Sequence, residues 1–152
     1  MMKRSFVLVF VMVLGLAPIA HASESTRAIV ASYLRIHAAL SADKVDGVKP
    51  AAQAIAKEAE RIGASGEPIV KAAKAVESAG DLKAARDAFG PLSDAVIAAA
   101  RADDWKDVSG VTIGYCPMVK RSWIQKHGEV NNPYYGSQML TCGELKDVKN
   151  RK

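Results

Sequence analysis

The feature that most limits what this chain can fold into is the distribution of alanine. Beyond residue 22 the sequence holds 23 alanines, all between Ala28 and Ala102, and none follows. Five of the seven aromatics in the same stretch lie between Trp105 and Tyr135. Alanine is the best helix former, so the first region reads as helical scaffold and the second as something chemically different.

Within the scaffold the apolar residues recur in steps of three and four. The series are Ile29, Tyr33, Ile36, Leu40; Val48, Ala52, Ile55, Ala59, Ile62; Ile69, Ala73, Val76; and Leu82, Ala85, Phe89, Leu92, Val96, Ala99. Each series is one face of an amphipathic helix. Breaks fall at Asp46-Gly47, at Gly63-Ala64-Ser65-Gly66 and at Gly80-Asp81. There Gly80 is expected to take a left-handed cap, and Asp81 to cap the next helix. Short connections and alanine-rich seams predict an all-α fold, an up-down four-helix bundle over residues 23–104. Gly90-Pro91 is expected to kink the fourth helix, because proline removes one backbone donor and crowds the preceding turn.

The first 22 residues carry Lys3 and Arg4, an apolar run from Phe6 to Ile19, and Ala20-His21-Ala22 before Ser23. That is the pattern of a secretory signal peptide with a small-x-small cleavage site. The run falls short of the about 20 residues a spanning helix needs, although a retained signal anchor is the alternative. An exported protein follows, periplasmic in a diderm bacterium, with no stable membrane span after cleavage. The whole chain has 21 Lys and Arg against 16 Asp and Glu, and losing Lys3 and Arg4 brings the formal charge from +5 to +3. So mild an excess, without clustering, argues against nucleic acid as a partner.

Residues 105–152 form a tail expected to pack on the bundle within one domain. Glycines 110, 114, 128, 136 and 143, with Pro117 and Pro133, mark turns in quick succession, and a segment this irregular tends to be functional. Val111 to Tyr115 reads as a short strand, and Ser122 to Lys126 as a short turn of helix.

All the sulfur beyond residue 22 lies in this tail, as Cys116-Pro117-Met118 and Met139-Leu140-Thr141-Cys142. Methionine is ordinarily a filler of helical cores, so its absence from the scaffold and its pairing with cysteine twice in the tail need another account. Proline discourages helix at Cys116, and an extended backbone would put Cys116 and Met118 on one face. A helical turn would bring Met139 and Cys142 to one side. The four residues together would make a soft donor set suited to Cu(I), or the similar Ag(I). The competing reading is a Cys116-Cys142 disulfide, which would close a loop worth roughly 3.5 kcal/mol in a region without a core of its own. A reversible disulfide would also reconcile the two.

Of the remaining candidates, His37 on the first helix reads as a partly buried bundle histidine. His127 reads as an extra metal ligand or a solvated loop residue. Asn131-Asn132-Pro133-Tyr134-Tyr135-Gly136 reads as a turn with aromatic packing, a small satellite core, and Trp123 as a shield for a neighbouring site.

Taken together, Tyr115-Cys116-Pro117-Met118, Trp123, Asn132-Pro133-Tyr134-Tyr135-Gly136 and Met139-Leu140-Thr141-Cys142-Gly143 resemble an uncharacterised bacterial domain family. Its members occur as standalone exported proteins and appended to periplasmic adaptor subunits of copper and silver efflux pumps. The resemblance runs from about Ile29 to Leu145, and its specific motifs all lie in the tail. It implies a helical domain in heavy-metal handling, with Cys116, Met118, Met139 and Cys142 at the family's sulfur positions. One departure is the glycine-rich insertion that often precedes the tryptophan in the family, where this chain has only Val119 to Ser122.

The leading expectation is a periplasmic Cu(I) or Ag(I) protein that buffers the metal or delivers it to an efflux adaptor or another envelope protein. The second is a non-catalytic envelope interaction module whose tail is stapled by the disulfide. An enzyme fares worst: Cys116 with His127 is the only candidate nucleophile and base, Glu129 and Glu144 form no metal-hydrolase pattern, and no phosphate-binding glycine loop is present.

Overall fold

The computed structural model describes residues 19–102 and 108–148. The basic and apolar parts of the expected signal peptide, and the boundary near Trp105, lie outside the described residues. Four helices form where the periodicity placed them: α1 (Ile19–Ser41), α2 (Val48–Arg61), α3 (Glu67–Glu77) and α4 (Leu82–Ala102). Their apolar series are the buried faces. Tyr33, Ile36, Leu40, Ala52, Ile55, Ala59, Phe89 and Leu92 are all fully buried. No described helix is long and apolar enough to cross a membrane.

The helix ends obey local chemistry, with one exception. Asp81 Oδ1 accepts the Ala84 amide at 2.8 Å and caps α4 as expected. Gly80 does not take the left-handed conformation, so α3 closes through Ser78, whose amide bonds back to the Lys74 carbonyl. α4 runs through Pro91 as a single helix, and Pro91 faces solvent.

The all-α expectation is overturned by the tail. β1 (Val111–Cys116), β2 (Arg121–Lys126) and β3 (Glu144–Asp147) form an antiparallel sheet in the order β2-β1-β3, so the fold is mixed α and β. The strand expected at residues 111–115 is present, whereas Arg121–Lys126 is a strand and not a turn of helix. Register runs from Val111 opposite Lys126 to Cys116 opposite Arg121, and from Thr112 opposite Asp147 to Tyr115 opposite Glu144.

The sheet also changes the helical half. α4 packs more extensively on β2 than on α1, so the sheet shares the closing of the bundle's fourth side. One hydrophobic core joins both halves, running from Ile29 and Phe89 to Val111, Trp123 and Ile124. Tyr33 is the joint: its ring stacks on Phe89 with centroids 4.9 Å apart, and its hydroxyl contacts Ser93 at 2.6 Å and accepts the Ile124 amide at 3.2 Å. One amide of the edge strand β2 is thereby paired by a helix side chain.

Candidate functional site

Strand pairing brings the two sulfur-bearing segments together. β1 ends at Cys116, where the hairpin turns through residues 117–120. Tyr115 is the last β1 residue paired with β3, opposite Glu144, so Cys142-Gly143 runs into the sheet alongside Cys116-Pro117. Cys116 is fully buried and Cys142 half-buried, and both are free cysteines.

The thioethers are placed differently. Because residues 117–120 form the hairpin turn, with Lys120 at φ 52, the chain is not extended past Cys116. Met118 therefore stands 63% exposed on the tip while Cys116 faces the core. Met139 and Cys142 do share a turn, closed by the Cys142 amide on the Met139 carbonyl at 3.0 Å. The structure thus runs the two thiol segments side by side and puts Met139 in one turn with Cys142, while Met118 stands apart from Cys116 on the exposed hairpin tip. Among the described residues no group of three or more His, Cys, Asp or Glu is arranged to hold a metal ion.

A network around Trp123 fixes this end of the sheet. Alternation puts Thr112, Gly114, Cys116, Arg121, Trp123 and Gln125 on one face. The indole lies across Gly114 towards Gly143, and a Cβ at Gly114 would overlap its ring. Trp123 Nε1 donates to Gln125 Oε1 at 2.9 Å, and that oxygen also accepts the Asn131 amide at 3.0 Å. Gln125 Nε2 donates to the Glu129 carbonyl at 2.7 Å, so a buried amide holds the returning chain.

The Asn-Asn-Pro-Tyr-Tyr-Gly stretch is the satellite core that the sequence suggested. Asn132 is fully buried; its Nδ2 donates to the Cys142 carbonyl at 2.8 Å, and its Oδ1 accepts the Tyr134 amide at 2.9 Å. Tyr134 packs between Phe89 and Trp123, with centroids 6.0 and 6.1 Å away, and donates its hydroxyl to the Ser122 carbonyl at 2.7 Å. Burial is the main cause that pushes the Tyr134 hydroxyl well above its ordinary pKa, and nearby Asp94 and Cys116 act in the same direction.

Arg86 clamps this core to the helices. It donates to the Pro133 carbonyl at 2.9 Å, to the Leu40 carbonyl at 2.7 Å and to Asp43 at 2.5 Å. Asp43 in turn accepts the Ser137 amide at 3.0 Å. The Ser137 side chain first, then Arg86 and that amide bond, hold the Asp43 carboxyl at a pKa of about 2. Gly136 lies on this ion pair at φ 55, where a side chain would be strained and would collide with both partners.

His37 is buried, as expected of a bundle histidine, with Nε2 2.8 Å from the Asn131 carbonyl. Burial pushes its pKa down. His127 is exposed and lines a groove between α1 and the tail that none of the four sulfur residues lines, so it stands apart from the sulfur end. Sequence reasoning missed Gln125 and Arg86, since one buried amide and one clamping guanidinium leave no periodic trace. Asn132 before Pro133 did carry a turn signal.

No protein-family model, curated protein or solved structure matches this chain.

Proposed function

We propose that this protein is an exported carrier of a soft monovalent ion, Cu(I) or the similar Ag(I), which it buffers or hands to a periplasmic efflux adaptor or another envelope protein. Cys116 and Cys142 are the thiolate ligands, and Met118 and Met139 the thioether donors. The observation that carries this reading is the β1-β3 register, which lays the Cys142 segment beside Cys116. Thiolates and thioethers are the donors that select Cu(I). Met118, exposed on the hairpin tip, suits capture from the solvent side, and the Trp123 and Tyr134 rings supply a dry wall.

The same adjacency favours a second reading, a Cys116-Cys142 disulfide that staples the tail of an interaction module.

The two readings separate in one experiment. Reduced protein is expected to compete for one equivalent of Cu(I) against a calibrated chelator, and oxidation to abolish that competition by consuming both thiols. Serine at Cys116 or Cys142 is expected to weaken binding much more than leucine at Met118 or Met139, because a thiolate brings charge as well as a soft donor. Equal binding by oxidised and reduced protein, or by all four variants and the parent, would sink the metal reading. A free-thiol count near zero in protein isolated without reductant would favour the staple.

A further inference from the structure

The groove that His37 and His127 both line is lined by none of the four sulfur residues. It measures about 760 Å³, a size suited to a small organic ligand, and is open to solvent between α1 and the turn after β2. On its α1 side Ala31, Leu34 and Ala38 form an apolar strip beside the polar Arg35, His37 and Ser41, and Leu140 adds to that strip from the tail. Two permanent cations, Arg35 and Lys126, line it against one acid, Glu129.

His37 gives the groove a chemical preference. The ring is 7% exposed, and a backbone carbonyl only accepts, so Nε2 carries the proton donated to Asn131. In the neutral ring Nδ1 is then an acceptor, and it has no hydrogen-bond partner among the described residues. Burial disfavours the charged ring, which keeps Nδ1 in that form. A buried acceptor left open beside a cavity is a place for a ligand donor.

We propose that this groove binds a small amphipathic organic anion bearing a hydroxyl or N–H donor: the anionic group lies by Arg35 and Lys126, the apolar body lies on Ala31, Leu34 and Ala38, and the donor meets His37 Nδ1. Both charge complementarity and the open acceptor select this class over a neutral apolar molecule, which would leave Nδ1 unpaired.

The test uses the full chain and three probes: para-hydroxybenzoate, benzoate without the donor, and para-hydroxybenzyl alcohol without the charge. Saturable binding of para-hydroxybenzoate is expected, with a Kd on the order of 1 mM or tighter, followed by the His37 and His127 ring resonances. Benzoate and the alcohol should each bind about tenfold more weakly, the worth of one hydrogen bond or ion pair here. Arg35→Gln with Lys126→Gln, both on exposed side chains, should weaken the anion and leave the alcohol unchanged.

Equal affinity for all three probes, or an anion affinity unmoved by the double variant, overturns the proposal. So does a response of the two histidines to Zn2+ alone without any response to para-hydroxybenzoate, which would make the groove a metal site.

Discussion

The helices and the sheet-bearing tail are held by opposite means. In residues 19–102 most of the buried residues are apolar, and apart from the half-buried Arg86–Asp43 pair that meets the tail, the ion pairs described there, Glu58 with Arg61, Lys83 with Asp87 and Glu60 with Lys74, are largely exposed, where such pairs contribute little. In residues 108–148 a few polar side chains, Gln125, Asn132, Tyr134 and the incoming Arg86, bond main-chain groups of the tail, most of them in segments between the strands. Apolar faces tolerate substitution of like for like. Side chains that satisfy buried backbone do not, because each loss strands a donor or acceptor.

The sharpest way to break that contrast is at Trp123. Trp123→Ala should cost about 3–5 kcal/mol, measured by urea unfolding, since it empties the space over Gly114 and Gly143. Gly114→Ala should destabilise the parent and do so much less in the Trp123→Ala background, because the collision is with the indole. Equal costs in both backgrounds would show that Gly114 is required for its backbone.

Gln125→Ala is the next largest. It strands the Trp123 Nε1, the Asn131 amide and the Glu129 carbonyl, and should cost about 2–3 kcal/mol. Gln53→Ala removes a 2.8 Å bond to Glu77 on the helix surface, and should stay within about 0.5 kcal/mol. Similar costs for the two would erase the distinction between the regions.

Pro91→Ala tests the helical side alone. α4 is continuous and Pro91 exposed, so restoring the amide towards the Asp87 carbonyl should raise stability by about 1 kcal/mol, net of the entropy that proline removes from the unfolded chain. A loss in thermal melting would mean that the ring itself is packed.

The smallest expected effect is local and pH-dependent. The Asp43 carboxyl sits at a pKa of about 2 in the folded chain, below its unfolded value of about 4. Its contribution is therefore complete above about pH 4 and disappears as the pH falls towards 2. The protection of the Ser137 amide, measured against its intrinsic exchange rate at each pH, should fall across that window, and Asp43→Asn should remove that fall. Protection that does not change with pH in the parent would detach Asp43 from the docking of the tail.

What the sequence determined by itself was the helical half. Helical order is written in neighbours three and four residues apart, so the faces through Tyr33, Ile55, Ile69 and Phe89 were legible without knowing what they meet. The strand at residues 111–115 was legible too. The strand at Arg121–Lys126 was not: Trp123, Ile124 and Gln125 are consecutive and all buried, so the alternation that marks a half-exposed strand is missing. Nor was β3, whose Glu-Leu-Lys-Asp sequence reads as solvated loop and becomes strand through pairing with residues more than 25 positions earlier. Tertiary structure alone decided that Met118 leaves the side of Cys116, that Arg86 ties α4 to Pro133, and that the bundle shares its fourth side with a sheet. Each depends on contacts between residues far apart in the chain, and no local pattern encodes the partner of a single arginine, amide or indole.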